Sequence, residues 1–522
     1  MNTYLATVTH SLRGNADRSR TQIGNVLVVV LVTVVIAGTA IVLTGGNSDR
    51  RLRIAIKQGV EGVALKDIAN HFNDKGRADA GNIQVEVVEY PYDQLYELEQ
   101  EQLDGQQPPD KRFDVIMVDD PWLYSLVLDA NDPNKRRLDN LNDVLKEKIA
   151  DYFPNTLRVC QYCPDDQQPC PDYFAVPFVA NSQLFALRGA DFAQSEAPTW
   201  KQIVDASVGI EGSGRLGYVM RIGPGNSIVT DFMPILWAYD PKSFPEHLDG
   251  DVLNKPDAAF ETLINLVGKR KSLGRAGMDD FDVSAYLQVS ADRQGGASMG
   301  IVWSAWAIML AELDDDVAEK SGANPGELAE KTDERKLTQS GMNSKEKLQF
   351  GKVPRSTESG PEAQPELGAW LLAVPFNAEH KDAAKAFIRF ATEFATLELA
   401  KNEPIQTAAW RQNPSPLKSV LKELANKKPF TTHPSLGGAI QWSLENARAR
   451  PRTACWKEIE SRLGKNLEKL LAQDSPSAKA ISQTEEDIRK DLKDLIDVKG
   501  CRSFLVEQAR RKNKNLDSEV GR

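Results

Sequence analysis

The stretch FDVIMVDDPW, residues 113–122, predicts a buried β-strand that ends in two carboxylates and a tryptophan. Residues 113–118 are largely apolar, which is typical of a strand covered on both faces. In open α/β sheets the ligand crevice lies beyond the carboxyl ends of the strands. Asp119, Asp120 and Trp122 therefore mark the sheet edge at which we expect a functional site.

The sequence before this strand predicts the rest of a βαβαβ unit. RLRIAI (51–56) alternates as a strand, and a helix face follows it with the spacing i, i+3, i+4, i+7, at Leu65, Ile68, Ala69 and Phe72. A second alternating strand contains Ile83, Val85 and Val87, and residues 92–102 have a helical pattern. This order is typical of a parallel sheet with helices on both faces.

The same pattern of a strand followed by a helix recurs later in the chain. Further strands are predicted at 173–188, 216–222, 297–303 and 367–375. The last is followed by a helix whose apolar face is formed by Ala383, Ala386, Phe387 and Phe390. The sequence therefore predicts more than one α/β core.

Composition excludes several classes of protein. The chain has 522 residues, of which 41% are hydrophobic and 26% charged, enough for two or three ordinary cores. Its net charge of −10 makes nucleic acid an unfavourable partner. Five scattered histidines and five cysteines form no standard zinc pattern, and the common nucleotide-hydrolysis, zinc-protease and α/β-hydrolase motifs are absent. We expect no metal and no cofactor.

An apolar segment near the N-terminus predicts contact with a membrane. Residues 25–43 carry no charge and nearly span a hydrocarbon core of about 30 Å. A cleavable signal peptide is the alternative, because Gly38 and Ala40 form a small-x-small site. The apolar run continues past that site to Leu43, which favours an uncleaved anchor. We therefore expect a polar segment at 1–24, a transmembrane anchor at 25–46, and all later residues on one side of the membrane.

Three of the five cysteines cluster in a short polar loop, namely Cys160, Cys163 and Cys170. Three thiolates without a nearby histidine make a poor zinc site. Export of the domain favours a disulfide within this group over metal or redox chemistry. An odd total leaves at least one thiol unpaired within the chain.

An ordered set of segments resembles the family 1 extracellular solute-binding proteins, the maltose-binding-like components of ABC importers. The resemblance runs from about residue 51 to 490 and includes FDVIMVDDPW, VPFVANSQLFALR, PTWKQIVDAS, GGASMGIVWSAWA, LGAWLLAVPFNAEHKDAAKAFIRFAT, EPIQTAAW and ARPRTACWKEIESRLGKNLEKLLA. Members of this family often carry a lipidated cysteine, but Gly46 stands at that place here. Because this cysteine is absent, an uncleaved transmembrane segment is favoured over a lipid as the anchor.

The resemblance implies two α/β lobes with a ligand cleft between them and no catalysis. It places one lobe at 47–178 and 303–394, with a solvated insertion at 312–365, and the other at 182–300 and 395–495, before a charged tail at 496–522. Motif positions carried over from the family give the ligand contacts Asp120, Trp122, Asn226, Trp303, Trp370, Thr407 and Trp456, and Asp119 is added as the neighbouring carboxylate.

The leading hypothesis is a membrane-tethered, extracytoplasmic binding protein that delivers a sugar or oligosaccharide to an ABC permease. A sugar ring stacks on an aromatic side chain, and its hydroxyl groups need hydrogen-bond acceptors. Trp122 and Asp120 supply these two kinds of contact together. Two alternatives remain open. A ligand-sensing subunit for a membrane signalling partner would have the same fold, and a tethered carbohydrate hydrolase would use Asp119 or Asp120 with Asp231.

Overall fold

The computed structural model describes residues 51–496 and Cys501, apart from 77–82, 130–131, 133–134, 164–169, 171, 189–196, 212–215, 224, 246–247, 249–251, 269–282, 285–286, 288–295, 321–347, 401–412 and 474–475. The predicted anchor at 25–46 and the segment before it lie outside these residues. Within the described part, no helix combines the length and the apolarity needed to cross a membrane.

The described strands form one mixed sheet in the order β2-β1-β3-β8-β4-β6-β5, with β7 also paired to β4. Their bounds are β1 (Arg51–Lys57), β2 (Gln84–Tyr90), β3 (Val115–Asp119), β4 (Val176–Arg188), β5 (Leu216–Val219), β6 (Ala297–Trp303), β7 (Leu348–Gly351) and β8 (Leu367–Ala373). β1 runs parallel to β2 and β3, which confirms the predicted βαβαβ unit. The strands predicted later in the chain are confirmed as β4, β5, β6 and β8.

Strand β4 joins the two halves of the sheet. Its residues from Val176 to Ser182 pair with β8, and those from Gln183 to Arg188 pair with β6 and β7. All of its residues are buried, as expected of a central strand. A single apolar strand therefore carries the chain from one lobe to the other.

Helices cover both faces of the sheet. Their bounds are α1 (Val60–His71), α2 (Tyr92–Leu103), α3 (Leu123–Val127), α4 (Asn142–Leu145), α5 (Pro154–Arg158), α6 (Trp200–Glu211), α7 (Asn226–Tyr239), α8 (Asp257–Leu263), α9 (Ser304–Lys320), α10 (Lys381–Ala400), α11 (Lys418–Leu424), α12 (Pro434–Asn446), α13 (Trp456–Leu471) and α14 (Ala478–Leu492). The amphipathic helix predicted after β8 is confirmed as α10.

Two hydrophobic cores cover the sheet, and the first extends along both halves of it, because it also contains Val219 of β5 and Val302 of β6. The first core contains β1, β3 and β8 with α1, α10, α11 and α12. The second core lies against the other half of the sheet and contains α6, α7, α8, α13 and α14. The two faces of β4 divide between them, since Leu184 faces the first core and Phe185 the second. The predicted two-lobed α/β fold is confirmed.

Two predicted segments are more buried than expected, while the lobe boundaries themselves stay predictions. The insertion at 312–365 is not solvated throughout, because Leu348, Phe350 and Val353 are buried and β7 pairs with β4. Cys501, which lies within the predicted tail at 496–522, is buried in the second core.

Two disulfides occur in the described residues. Cys163 is joined to Cys170 in the loop before β4, and Cys160 remains a buried free thiol that donates to the Thr156 carbonyl. The second bond joins Cys455 to Cys501. The sequence did not indicate this pairing, since 46 positions separate the two cysteines. It fixes the end of the described chain beside the first residue of α13.

Candidate functional site

Arg450 lies at the centre of a cluster of four buried carboxylates. Its guanidinium donates to Asp119 Oδ1 at 2.8 Å and to Asp120 Oδ1 at 2.9 Å. Glu366 Oε1 lies 3.4 Å from its Nε, and Glu460 Oε1 lies 3.8 Å from its Nη1. All five side chains are almost completely shielded from solvent. We call these residues the Arg450 cluster.

The Arg450 cluster is assembled from both lobes. Asp119 and Asp120 follow the buried strand β3, and Glu366 directly precedes β8. Glu460 lies on α13, whose apolar face packs in the second core. Arg450 belongs to the segment that connects α12 of the first core to α13. The predicted sheet edge beyond β3 is therefore the place where the lobes meet.

Further hydrogen bonds fix the two aspartates. Asp119 Oδ2 accepts from the Tyr92 hydroxyl at 2.7 Å, and Asp120 Oδ1 accepts from the Ala369 backbone N–H at 3.0 Å. Tyr92 starts α2, and Ala369 lies in β8, the strand next to β3. These donors hold both carboxylates at the carboxyl end of β3.

Glu460 is held by donors from the second lobe. Its Oε1 accepts from Asn226 Nδ2 at 2.8 Å and from Trp456 Nε1 at 3.2 Å. Helix α13 can approach Asn226 because Gly464 faces the backbone of Gly225, where an added Cβ would come within 2.9 Å. The Asn226 amide also lies 3.5 Å from the Tyr92 hydroxyl, so it contacts both lobes.

One guanidinium does not neutralise four carboxylates, and the pKa values shift accordingly. Burial raises the pKa of Asp120 to about 7, against the opposing attraction of Arg450. Burial likewise raises the pKa of Glu460 to about 7 and that of Glu366 well above its usual range. Burial disfavours the charge of Arg450, but the surrounding carboxylates raise its pKa further still. The Arg450 cluster thus holds protons near neutral pH.

This proton uptake predicts a pH-dependent stability. The pKa values of Asp120 and Glu460 are about 7 in the folded protein, well above those of the same carboxyl groups in the unfolded chain. At a pH between the unfolded and the folded pKa values, the folded state therefore binds more protons than the unfolded chain. The resulting stabilisation is present at low pH and is lost as the pH rises through 7. We expect the free energy of unfolding, followed by urea titration, to fall by roughly 5 kcal/mol from about pH 5 to pH 8 relative to an Asp120→Asn, Glu460→Gln variant, because each of the two groups contributes about half of the loss. A rise over this range would contradict the described burial.

An aromatic cluster borders the two aspartates on the first lobe. The Trp122 ring centroid lies 4.7 Å from that of Tyr92, 5.1 Å from Tyr96 and 6.0 Å from Trp370. Trp122 is only 1% exposed, so its ring is packed among these neighbours. We call Tyr92, Tyr96, Trp122 and Trp370 the aromatic cluster.

The remaining predicted residues are divided between three places. Trp456 packs in the second core beside Phe244, with ring centroids 6.4 Å apart, and reaches the site through its indole N–H. Trp303 packs on Gly368 and beneath the Arg221 guanidinium, which lies 5.0 Å from its ring. Thr407 lies outside the described residues.

Asp231 does not join the pair that the hydrolase hypothesis requires. It is fully buried on α7, and both of its carboxylate oxygens accept hydrogen bonds from Arg221. The described residues also contain no group of His, Cys, Asp and Glu side chains arranged to hold a metal ion. The geometry is that of a charged contact site between two lobes.

Four residues of the site were not predicted from the sequence, namely Arg450, Glu366, Glu460 and Tyr92. Arg450 and Glu460 lie within the segment ARPRTACWKEIE that carried part of the family resemblance, and Glu460 is one helical turn from Trp456. This spacing could have indicated that Glu460 lies on the same face of the helix as the predicted contact Trp456. Glu366 and Tyr92 had none, because each enters the site only through the pairing of β8 with β3 and the packing of α2.

Two α/β lobes on a shared sheet, with a buried polar site where they meet, define the two-lobed class of solute-binding protein. The chain belongs to the bacterial extracellular solute-binding protein family, whose model matches residues 58–393. Proteins of this family bind solutes and are not enzymes, which agrees with the pairing of Asp231 to Arg221. A search of curated protein sequences found no match.

Solved structures share this fold at low sequence identity. Maltose-bound MalE3 of T. maritima is 19% identical, with a TM-score of 0.60 over 84% of this chain and 99% of its own. A solute-binding protein of an ABC transporter from Agrobacterium vitis S4, with bound D-mannitol, is 15% identical, with a TM-score of 0.60 over 85% of this chain and 99% of its own. At these identities the likeness concerns the fold alone.

Proposed function

We propose that the protein is a membrane-tethered, extracytoplasmic solute-binding protein that captures a sugar or oligosaccharide between its lobes and delivers it to an ABC permease. The observation that carries the proposal is the convergence of polar and aromatic groups from both lobes on one site. Relatives of the same fold bind maltose and D-mannitol, which supports a polyhydroxy solute. The apolar segment 25–43 supports the tether, and the family supports the permease partner.

The proposed contacts are those expected from the family motifs, Asp119, Asp120, Trp122, Asn226, Trp303, Trp370, Thr407 and Trp456. The Arg450 guanidinium donates hydrogen bonds to both aspartates. Sugar hydroxyls donate hydrogen bonds to carboxylates as this guanidinium does, so they are suited to replace it. Opening of the lobes would separate Asp120 from Glu460 and admit the solute.

Calorimetric titration of the full chain in detergent with maltose and D-mannitol tests this proposal. We expect binding of at least one, and at least tenfold weaker binding in both Asp120→Asn and Asn226→Ala, because one residue lies in each lobe. Asp143→Asn serves as the control, since this side chain is 54% exposed on α4. If neither sugar binds, or if only one lobe's variant weakens binding, the solute is not held between the lobes as proposed.

A further inference from the structure

Helix α7 contains a proline that removes one of its hydrogen-bond donors. Pro234 lies inside the helix and has no N–H, so the carbonyl of Thr230, four residues earlier, lacks the donor that an α-helix normally supplies. Both residues are buried, and the helix packs in the second core. A buried carbonyl without a donor is costly, so another group has to donate at this point.

The missing donor comes from a different element. Gln183 Nε2, on the central strand β4, donates to the Thr230 carbonyl oxygen at 2.7 Å. Gln183 is completely buried, and it is the residue at which the pairing of β4 changes from β8 to β6. The amide therefore ties α7 to the sheet at the point where β4 passes from one half of the sheet to the other.

The same glutamine also holds a residue of the Arg450 cluster. Gln183 Oε1 accepts from the Glu366 backbone N–H at 3.1 Å, and the Gln183 backbone N–H donates to the Glu366 carbonyl at 3.2 Å. Glu366 Oε1 in turn lies 3.4 Å from Arg450 Nε. One glutamine thus links the backbone of a cluster residue next to β8 with a helix of the second core.

That helix begins at the candidate site. Asn226 is the first residue of α7, one helical turn before Thr230, and its amide donates to Glu460 Oε1 at 2.8 Å. The neighbouring pair of Asp231 and Arg221 joins α7 to the segment after β5, within the same half of the sheet. The contact of Gln183 with Thr230 instead relates α7 to the segment before β8. A shift of the helix relative to that segment would move Asn226 as well.

We propose that Gln183 is a positioning residue of the candidate site, which supplies the donor that Pro234 removes and thereby fixes Asn226 relative to Glu366. Gln183 need not touch the solute, because it acts through α7 and through the segment before β8. Loss of its amide lets the two lobes sample a wider range of relative positions. The consequence for solute binding rests on the proposed function, whereas the consequence for the lobes does not.

Distances between nitroxide labels on the two lobes, measured by pulsed electron paramagnetic resonance on the full chain, test the proposal. Asp143→Cys on α4 and Lys201→Cys on α6 place the labels where the native side chains are 54% and 79% exposed. The native cysteines are in disulfides or, for Cys160, buried. We expect Gln183→Met to broaden the distance distribution, because methionine keeps the length of the side chain but has no N–H to donate.

Gln102→Met is the matched control. Gln102 is also buried, and its amide donates to the Phe113 carbonyl and accepts from the Phe113 N–H, both at 2.7 Å. Gln102 and Phe113 both belong to the first lobe, so this variant should lose stability as Gln183→Met does but keep the distance distribution of the unaltered chain. Equal broadening in the two variants would show that Gln183 acts as any buried glutamine does, and it overturns the proposal.

Pro234→Ala provides a rescue that a general role in packing would not explain. Alanine returns to α7 the N–H that faces the Thr230 carbonyl, so adding Pro234→Ala to Gln183→Met should restore most of the original distribution. An unchanged distribution in Gln183→Met, or a broadening that Pro234→Ala leaves in place, overturns the proposal. If Gln183→Met alone does not fold, the combined variant decides: its folding with the original distribution supports the proposal, and its failure to fold overturns it.

Calorimetric titration separates this proposal from the proposed function. If maltose or D-mannitol binds the unaltered chain, Gln183→Met should weaken that binding at least tenfold, and Gln102→Met by less than about threefold. Unchanged affinity in Gln183→Met overturns its role in the site. If neither sugar binds the unaltered chain, the proposed function fails, and the distance measurements still decide whether Gln183 fixes the lobes.

Discussion

Replacing Arg450 with methionine is expected to lower the free energy of unfolding by about 3–5 kcal/mol, among the largest effects of any single substitution in this chain. The guanidinium lies within 4 Å of four buried carboxylates from both lobes. Methionine fills a similar volume but leaves those carboxylates without their central cation. Urea denaturation of the full chain at neutral pH measures the loss.

Two comparisons separate this effect from a general response to losing an arginine. Arg389→Met removes a side chain that is 44% exposed and paired with Asp143, and it should cost about 0.5 kcal/mol or less. Adding Asp120→Asn and Glu460→Gln to Arg450→Met should recover much of the lost stability, because fewer buried charges remain to be compensated. Equal losses for Arg450→Met and Arg389→Met would show that the Arg450 cluster does not contribute to folding.

The local pattern of apolar residues was sufficient to predict the strands and the edge of the sheet at which the candidate site lies. β1, β2 and β3 have unambiguous apolar periodicity, and a strand followed by Asp-Asp-Pro-Trp can present those residues only at its carboxyl end. The pattern correctly placed Asp119, Asp120 and Trp122 at this edge of the sheet, and their role in binding stays a prediction. Predictions that depend on a single element and its immediate continuation therefore held.

The missed features depend on contacts between distant segments. Arg450 reaches Asp119 across 331 positions of sequence, and nothing in its own surroundings marks it as buried.

The role of Trp122 also changes once its surroundings are known. From the sequence it was expected to be an aromatic surface on which a sugar ring stacks. In the structure it is 1% exposed, with three aromatic neighbours whose ring centroids lie 4.7–6.0 Å away. Its ring thus packs beneath the short helical turn of residues 120–122 and presents no open face in this structure.

Trp122→Ala is therefore expected to lower the free energy of unfolding by about 3–5 kcal/mol, since it removes a large buried ring and leaves a cavity among Tyr92, Tyr96 and Trp370. Trp442→Ala is the matched control, because that ring is partly exposed, contacts Lys352 and donates a hydrogen bond to Glu362, and its loss should cost about 1 kcal/mol. Urea denaturation measures both. A midpoint for Trp122→Ala equal to that of the unaltered chain would mean that the ring is not packed in the aromatic cluster, and that its surface is free to meet a ligand directly.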